Sequence, residues 1–109
     1  MNTKILIEIL LEIRSSSKLL SQDLTDENLK ALIHKYNMLF VGENFNCIYS
    51  LELANSIRTF FNVEVSNDAL NSLIPEVCTL LNMQYEPLVS LGDTANSNPE
   101  ISCYSIILW

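Results

Sequence analysis

The chain contains 109 residues, of which 49% are hydrophobic and 17% are charged, and its formal net charge is −7. A chain of this length has room for one hydrophobic core, and its apolar content excludes intrinsic disorder. We therefore expect a single domain over residues 1–109. The excess of 13 acidic over 6 basic residues argues against a generic binder of nucleic acids or anionic membranes, because both partners require a cationic surface.

The N-terminal stretch and the cysteines together predict a cytoplasmic protein. Residues 1–14 carry a single lysine and two interrupting glutamates, and no small-residue cleavage site follows them, so they do not fit a signal peptide. The longest apolar runs are four residues, so we expect no segment to span a membrane. An odd number of widely spaced cysteines indicates reduced, mostly buried thiols, namely Cys47, Cys78 and Cys103.

A first helix is predicted over residues 3–20, and it is apolar around most of its circumference. Ile7 and Leu11 widen an apolar face already built at helical spacing, which leaves Glu8 and Glu12 as a narrow polar stripe. The residues of that face are Ile5, Leu6, Ile9, Leu10 and Ile13. Either the fold wraps this helix completely or a second chain covers its outer side, and we predict the second alternative, because exposed apolar side chains forgo burial energy.

A second helix and a short strand are predicted next. Thr25 is a suitable N-cap, and the acidic residues 26 and 27 favour the positive end of a helix that runs to about residue 37. The apolar run Met38–Val41 precedes a glycine and is too short for a helix. It predicts a strand.

Two further helices are expected in the second half of the chain. The third is predicted over Cys47–Phe61, and the fourth over residues 67–82 with Ser66 as its N-cap. Pro75 lies inside the fourth helix, where it removes one backbone hydrogen bond. Because the apolar residues keep one helical period across the proline, we predict a single kinked helix and not two separate ones.

The C-terminal region predicts a β-hairpin. Strands are expected over Tyr85–Leu91 and Ile101–Trp109, joined by the polar, turn-rich loop Gly92–Pro99. The last strand is apolar on both faces, so it is either central in the sheet or covered by a helix. The predicted fold is therefore α+β and mostly helical, with four helices and a small antiparallel sheet made of the hairpin and the short strand near residues 38–41.

One arrangement compatible with this order of elements is a winged helix-turn-helix, and residues 53–70 resemble the helix-turn-helix segment of such domains. The resemblance implies a DNA-associated transcriptional regulator whose recognition helix is the fourth helix. Residues 67–83 contain Asp68 and Glu76 but no Lys or Arg, and the expected wing contains Asp93 and no basic residue. Because phosphate contacts dominate affinity for DNA, this surface is expected to repel a duplex, and a winged-helix shape used for protein contacts stays an open alternative.

A duplicated helix-loop-helix is the other compatible arrangement. Shifting the sequence by 41 residues aligns Leu10 with Leu51 and the predicted cap Thr25 with Ser66. Two units of similar pattern explain this match, although a shared helical period in a chain rich in Leu and Ile also produces such coincidences.

The sequence contains no evident constellation for catalysis, metal binding or phosphate binding. The single histidine, His34, and the three cysteines are at least thirteen residues apart, so they form no zinc motif. The segments at the position of an EF-hand loop lack its alternating acidic ligands, and two glycines make no phosphate-binding loop. Glu8 and Glu12 form a carboxylate pair, but such a pair on a helix is typical of a solvated stripe. We predict no enzymatic activity, cofactor or metal ion.

The remaining features predict a small acidic cytosolic module for protein–protein interaction. An inhibitor or immunity-type protein that occupies a basic partner surface, such as the groove of a nucleic-acid enzyme, fits the charge of −7. The expected partner is another, basic protein or a second copy in a homodimer formed through the first helix, with no direct nucleic-acid or membrane contact. The winged-helix transcriptional regulator is the alternative. The predicted contact residues are Ile7, Glu8, Leu11 and Glu12.

Overall fold

The computed structural model packs four helices against one small sheet and describes residues 1–89 and 101–109. Its elements follow in the order α1 Thr3–Gln22, α2 Asp26–Tyr36, β1 Cys47–Tyr49, α3 Ser50–Thr59, α4 Asn67–Leu80, β2 Gln84–Val89 and β3 Ile101–Ile107. All strand pairs are antiparallel. The predicted class, α+β and mostly helical with a small antiparallel sheet, is confirmed.

Three of the helices begin at a side-chain cap. Thr25 and Ser66 each accept a hydrogen bond from the backbone N–H three residues later, at 3.1 Å in both cases, which confirms the two predicted caps. Asn2 caps α1 in the same way at 2.9 Å. Such bonds satisfy one of the free donors at a helix start, and losing one costs about 1 kcal/mol.

The third strand of the sheet lies at Cys47–Tyr49 and not at Met38–Val41. The earlier segment contacts the sheet only through Val41, which exchanges backbone hydrogen bonds of 2.8 and 3.0 Å with Cys47 in an isolated bridge. The expectation that Cys47–Tyr49 belongs to the third helix is therefore wrong, and α3 is shorter than predicted at both ends. Ile48 is buried between two half-buried neighbours, a period of two that a three-residue segment is too short to reveal in the sequence.

β3 is the central strand of the sheet, whose order is β1-β3-β2. This placement pairs both of its edges, whereas its outer face stays partly exposed, as at Ile107, which is 38% exposed. Ile106 pairs with Ile48 on one side and with Tyr85 on the other, and the side chains of this face pack into the core. The predicted first hairpin strand begins at Gln84, while its last two residues, 90 and 91, lie outside the described residues, as does the predicted loop over residues 92–99.

Both edges of the sheet are protected against a further strand. The backbone N–H of Tyr104 donates to Ser50 Oγ at 2.8 Å, so it points toward β1. Pro87 pairs with Tyr104 from the other side, so its backbone must face away from β3, toward the open edge. A proline at this point removes a donor that an added strand would need, and the Val41 bridge occupies the edge of β1.

The 41-residue offset is visible in the structure for one helix pair only. α2 and α4 begin 41 residues apart, each directly after its side-chain cap. The aligned first helices differ, because Leu10 is buried in α1 whereas Leu51 is 52% exposed on α3. The strand β1 occupies the start of what would be the second copy of α1.

α4 is one helix that continues through Pro75, which confirms the predicted single helix, while its kink stays a prediction. The proline leaves the backbone carbonyl of Asn71 without its usual helical donor. The side chain of Asn71 makes two hydrogen bonds to other elements at this position. Its Oδ1 accepts from Ser50 Oγ at 2.8 Å, and its Nδ2 donates to the carbonyl of Ser102 at 3.2 Å. One amide thus links α3, α4 and β3.

Replacing Asn71 with Ala is expected to lower the free energy of unfolding by about 1–3 kcal/mol, because it leaves the buried Ser50 hydroxyl without its acceptor. The measurement is urea unfolding followed by circular dichroism. Asn44→Ala, at an exposed loop position, is the matched control and should change the midpoint little. Equal midpoints for the two variants would show that the network is not stabilising.

Trp109 is hydrogen-bonded to α1 and to the turn before β1. Trp109 Nε1 donates to Ser17 Oγ at 2.9 Å, and Ser17 Oγ donates to the carbonyl of Phe45 at 3.1 Å. The side chain of Asn46 donates to the carbonyl of Trp109 at 2.6 Å. These bonds explain how Ser17, a polar residue, is fully buried on the core side of α1.

Candidate interaction surface on the first helix

The fold itself covers most of the apolar circumference of α1. The core face predicted from the sequence is confirmed, because Leu6, Ile9, Leu10 and Ile13 are buried. Ile7 is half-buried and packs against the core. A single chain therefore buries most of the apolar surface of α1.

The four predicted contact residues form the outer arc of α1 but fall into two pairs. Successive residues of a helix are about 100° apart, which places Ile7 and Leu11 at one edge of the arc and Glu8 and Glu12 at the other. Leu11 is 36% exposed, and both glutamates are exposed. The glutamate pair lines a concave surface.

That surface, here called the acidic groove, has a volume of about 260 Å³. Glu8 and Glu12 line it together with four apolar side chains. The apolar members are Ile5 and Ile9 of α1 and Phe61 and Val63 of the segment between α3 and α4. The groove therefore combines an apolar lining with two carboxylates, and it has no basic lining residue.

The far wall of the acidic groove is positioned by the way α3 ends. The N–H groups of Phe60 and Phe61 both donate to the carbonyl of Ser56, at 2.8 and 3.3 Å, and Val63 N–H donates to that of Ile57 at 3.0 Å. Asn62 between them has φ 57°, the left-handed conformation that Asn tolerates better than most residues. This turn directs Phe61 and Val63 back toward α1.

An aromatic cluster holds this wall in place. The ring of Tyr36 lies 5.0 Å from that of Phe60 and 6.1 Å from that of Phe61, measured between centroids. The Tyr36 hydroxyl shares a 2.7 Å hydrogen bond with Ser16 Oγ on α1. Packing and one polar contact thus connect α2, the α3–α4 segment and α1 at the groove.

A second concavity, here called the α1–α2 groove, lies further along α1 and has a volume of about 300 Å³. Leu19 is its most exposed apolar residue, at 65% exposure. Lys35 on α2 is its one charged lining residue, and its Nζ lies 5.0 Å from the centroid of the Tyr36 ring. The lining residues are Ser16, Leu19, Leu20, Asn28, Ala31, Leu32 and Lys35.

Neither this second groove nor the far wall of the first is predicted by the sequence pattern. A signal for the wall is present, since Asn62 directly after an amphipathic helix is a recognised stop residue. No local signal tells that the segment after it returns to α1, because that contact joins positions more than fifty residues apart. The α1–α2 groove likewise depends on the angle between two helices.

The cysteines do not form a reactive centre. Cys78 is buried, and this burial raises the pKa of its thiol to about 11. Burial also raises the pKa of Cys47, which a backbone hydrogen bond with Ile106 partly offsets. A raised pKa lowers the fraction of nucleophilic thiolate at neutral pH. Cys47 and Cys103 are half-buried, so only Cys78 matches the prediction of a fully packed thiol.

Residues 1–89 and 101–109 show neither a metal-binding cluster nor a helix that could span a membrane. In that part of the chain, no three His, Cys, Asp or Glu side chains come together as a metal site would require. No helix there combines the length and apolarity needed to cross a bilayer. His34, the only histidine, is exposed on α2.

A Cys47→Ser/Cys103→Ser variant, which keeps only Cys78, is expected to react with a thiol reagent at least ~100-fold more slowly when folded than when unfolded in urea. Burial and the raised pKa both oppose attack by Cys78. The rate of absorbance change with Ellman's reagent is the measurement. A Cys78→Ala variant, which keeps the two half-buried thiols, is the control and should show a smaller protection factor. Equal rates in the folded and unfolded states would contradict the buried placement.

Comparison with known proteins adds no information about the fold or the candidate surface. No protein-family model matches the chain, and no curated protein or solved structure shows significant similarity to it.

Proposed function

We propose that this chain is a small acidic protein-binding module that receives a basic, partly apolar segment of another protein in the acidic groove. The observation that supports this most is the composition of the groove. Glu8 and Glu12 border four apolar side chains in one concavity, on a chain whose net charge is −7. A surface of this kind complements a segment that carries both apolar and basic residues.

Apolar contacts and ion pairs contribute differently to binding in this proposal. Apolar side chains of the partner gain about 25 cal/mol for each Å² they bury against Ile5, Ile9, Phe61 and Val63. An exposed ion pair adds only about 0.2–1 kcal/mol, so the glutamates contribute modestly to affinity. Their larger effect is to accelerate encounter with basic partners and to disfavour acidic ones.

The finer proposal is an inhibitor or immunity-type protein acting in the cytoplasm. A basic enzyme that handles nucleic acid presents a cationic groove, and an acidic module attached beside or inside it would prevent access of the substrate. The charge of the chain supports this class, and the acidic groove offers a place of attachment. In such a module Ile7 and Leu11 flank the contact on the outer side of α1.

The test uses two fluorescent peptides with the same apolar residues, one carrying Lys and the other Glu at the remaining positions. The Lys peptide is expected to bind in fluorescence anisotropy, and the Glu peptide is not. A Glu8→Gln/Glu12→Gln variant should bind the Lys peptide about 5-fold more weakly, since two exposed ion pairs are lost. The difference should shrink at high salt.

The matched control is Glu76→Gln/Glu86→Gln, which removes the same charge from exposed positions on α4 and β2. It should lower the affinity less than the groove variant, because it leaves the groove intact. Equal weakening by the two double variants would point to a general charge effect. That result, or the absence of binding, would refute the proposed function.

A homodimer through α1 is less well supported by the geometry. Two copies meeting at the outer arc of α1 would bring both glutamate pairs into the same interface, where like charges repel. The single chain also buries the core face of α1 without help. Sedimentation at increasing concentration measures this directly.

One observation supports the winged-helix regulator as a second candidate. The order α2-β1-α3-α4-β2-β3, with β1 beside β3, is the order expected for a winged helix. In that arrangement α4 would face DNA, yet it presents Asp68 and Glu76 and has no Lys or Arg. This charge favours protein contacts over phosphate contacts.

An electrophoretic shift assay at low salt separates the two candidates. The proposed protein-binding module should cause no retention of duplex DNA, because α4 provides no cation for phosphate contacts. Retention that weakens steeply with added salt would favour the regulator instead.

A further inference from the structure

The two grooves lie end to end along one side of α1. α1 contributes seven residues to the grooves, and five of them alternate in spacing between four and three: Ile5, Ile9, Glu12, Ser16 and Leu19. This is the spacing of a heptad seam, which stays on one side of a helix for several turns. At 1.5 Å per residue, the seam is about 20 Å long.

Each groove has a wall opposite this seam. Phe61 and Val63 form the wall beside the acidic groove, and residues 28–35 of α2 form it beside the α1–α2 groove. The grooves together are here called the trough. It is lined mainly by apolar side chains, with charged groups at Glu8, Glu12 and Lys35.

The trough suits a helix better than an extended segment. An extended segment gains much of its binding energy from backbone hydrogen bonds to a free sheet edge. In this fold the edges carry Pro87 and the Val41 bridge, and the walls of the trough are side chains. An occupying helix satisfies its own backbone and needs only side-chain contacts, which a 3–4 spaced seam provides.

The charges of the trough define a direction. Glu8 and Glu12 lie toward the N-terminal end of α1, whereas Lys35 lies at the other groove. A helix with Lys or Arg near one end therefore fits with that end over the acidic groove. The same side of a second copy's α1 fits poorly, because it carries Glu8 and Glu12 and no Lys or Arg to place over the acidic groove.

We infer that the occupant of the trough is an amphipathic helix of about 15 residues from a partner protein, with apolar residues at 3–4 spacing and basic residues at one end. This rests on the proposed function, since it identifies the partner segment that the acidic groove receives. It adds the α1–α2 groove to the binding surface.

The first test compares two labelled peptides of equal composition, each with Leu at 3–4 spacing and Arg at one end. Both peptides contain the same prolines. In the first peptide the prolines stand at the ends, and a staple on the outward side holds the helix. In the second peptide they stand at central positions, where they prevent a helix. The helical peptide is expected to bind at least ~10-fold more tightly in fluorescence anisotropy. Equal affinities would overturn the helical occupant and leave the proposed function standing.

The second test blocks only the α1–α2 groove. Ala31 is exposed in that groove, so Ala31→Arg and Ala31→Glu fill it with side chains of opposite charge, and both should weaken the stapled peptide at least ~10-fold. Ala69→Arg, at an exposed alanine of α4, is the control and should have no such effect. Circular dichroism checks that each variant is folded.

The outcomes separate the two proposals. If Glu8→Gln/Glu12→Gln weakens binding and the Ala31 variants do not, the contact is confined to the acidic groove and the long helical occupant is refuted. If no basic peptide binds in any form, the proposed function fails as well. A dimer in sedimentation that the stapled peptide dissociates would show that a second copy occupies the trough, which overturns the inference.

Discussion

The need to cover α1 constrains the rest of the structure. This helix places Leu6, Leu10 and Ile13 in the core with no exposed surface, and each such side chain contributes about 1.5–3 kcal/mol by its burial. α2 and α4 pack against it, and Trp109 reaches it from beyond the sheet. α2 and α4 can be understood as a cover for one very apolar helix, and the sheet packs in turn against α3 and α4.

The same constraint explains where the cover is incomplete. A helix that is apolar around most of its circumference needs more neighbours than three short helices and a sheet provide. The remainder appears as two grooves on one side, with Leu19 largely exposed, and as Leu11 at the outer edge. The proposed binding surface is thus the part of α1 that the domain does not enclose.

Much of the fold is predictable from local patterns. The caps Thr25 and Ser66 and the continuous fourth helix follow from residues close together in sequence. β1 was missed because the helical spacing from Ile48 to Leu51 outweighed a three-residue alternation. A strand so short is defined by its partner, and Ile106 lies far away in sequence.

The candidate surface is likewise predictable from the sequence only in part. Glu8 and Glu12 are recognisable because one helix carries both, whereas their distance from Phe61 depends on how two remote segments meet. The separation of Ile7 and Leu11 from the groove is a matter of some 100° around the helix axis, which a pattern of polar and apolar residues describes only coarsely. Helical periodicity finds the right side of α1 but not its neighbours.

The bond between Trp109 and Ser17 has a consequence for how the molecule is made. It joins residues 92 positions apart, so α1 leaves the ribosome long before its last cover exists. At about 5–20 residues per second, roughly 4–17 s separate the synthesis of the end of α1 from that of residue 109. During this interval Ser17 lacks the indole N–H that reaches it in the folded domain. The complete fold can therefore form only after β3 and residue 109 have been synthesised.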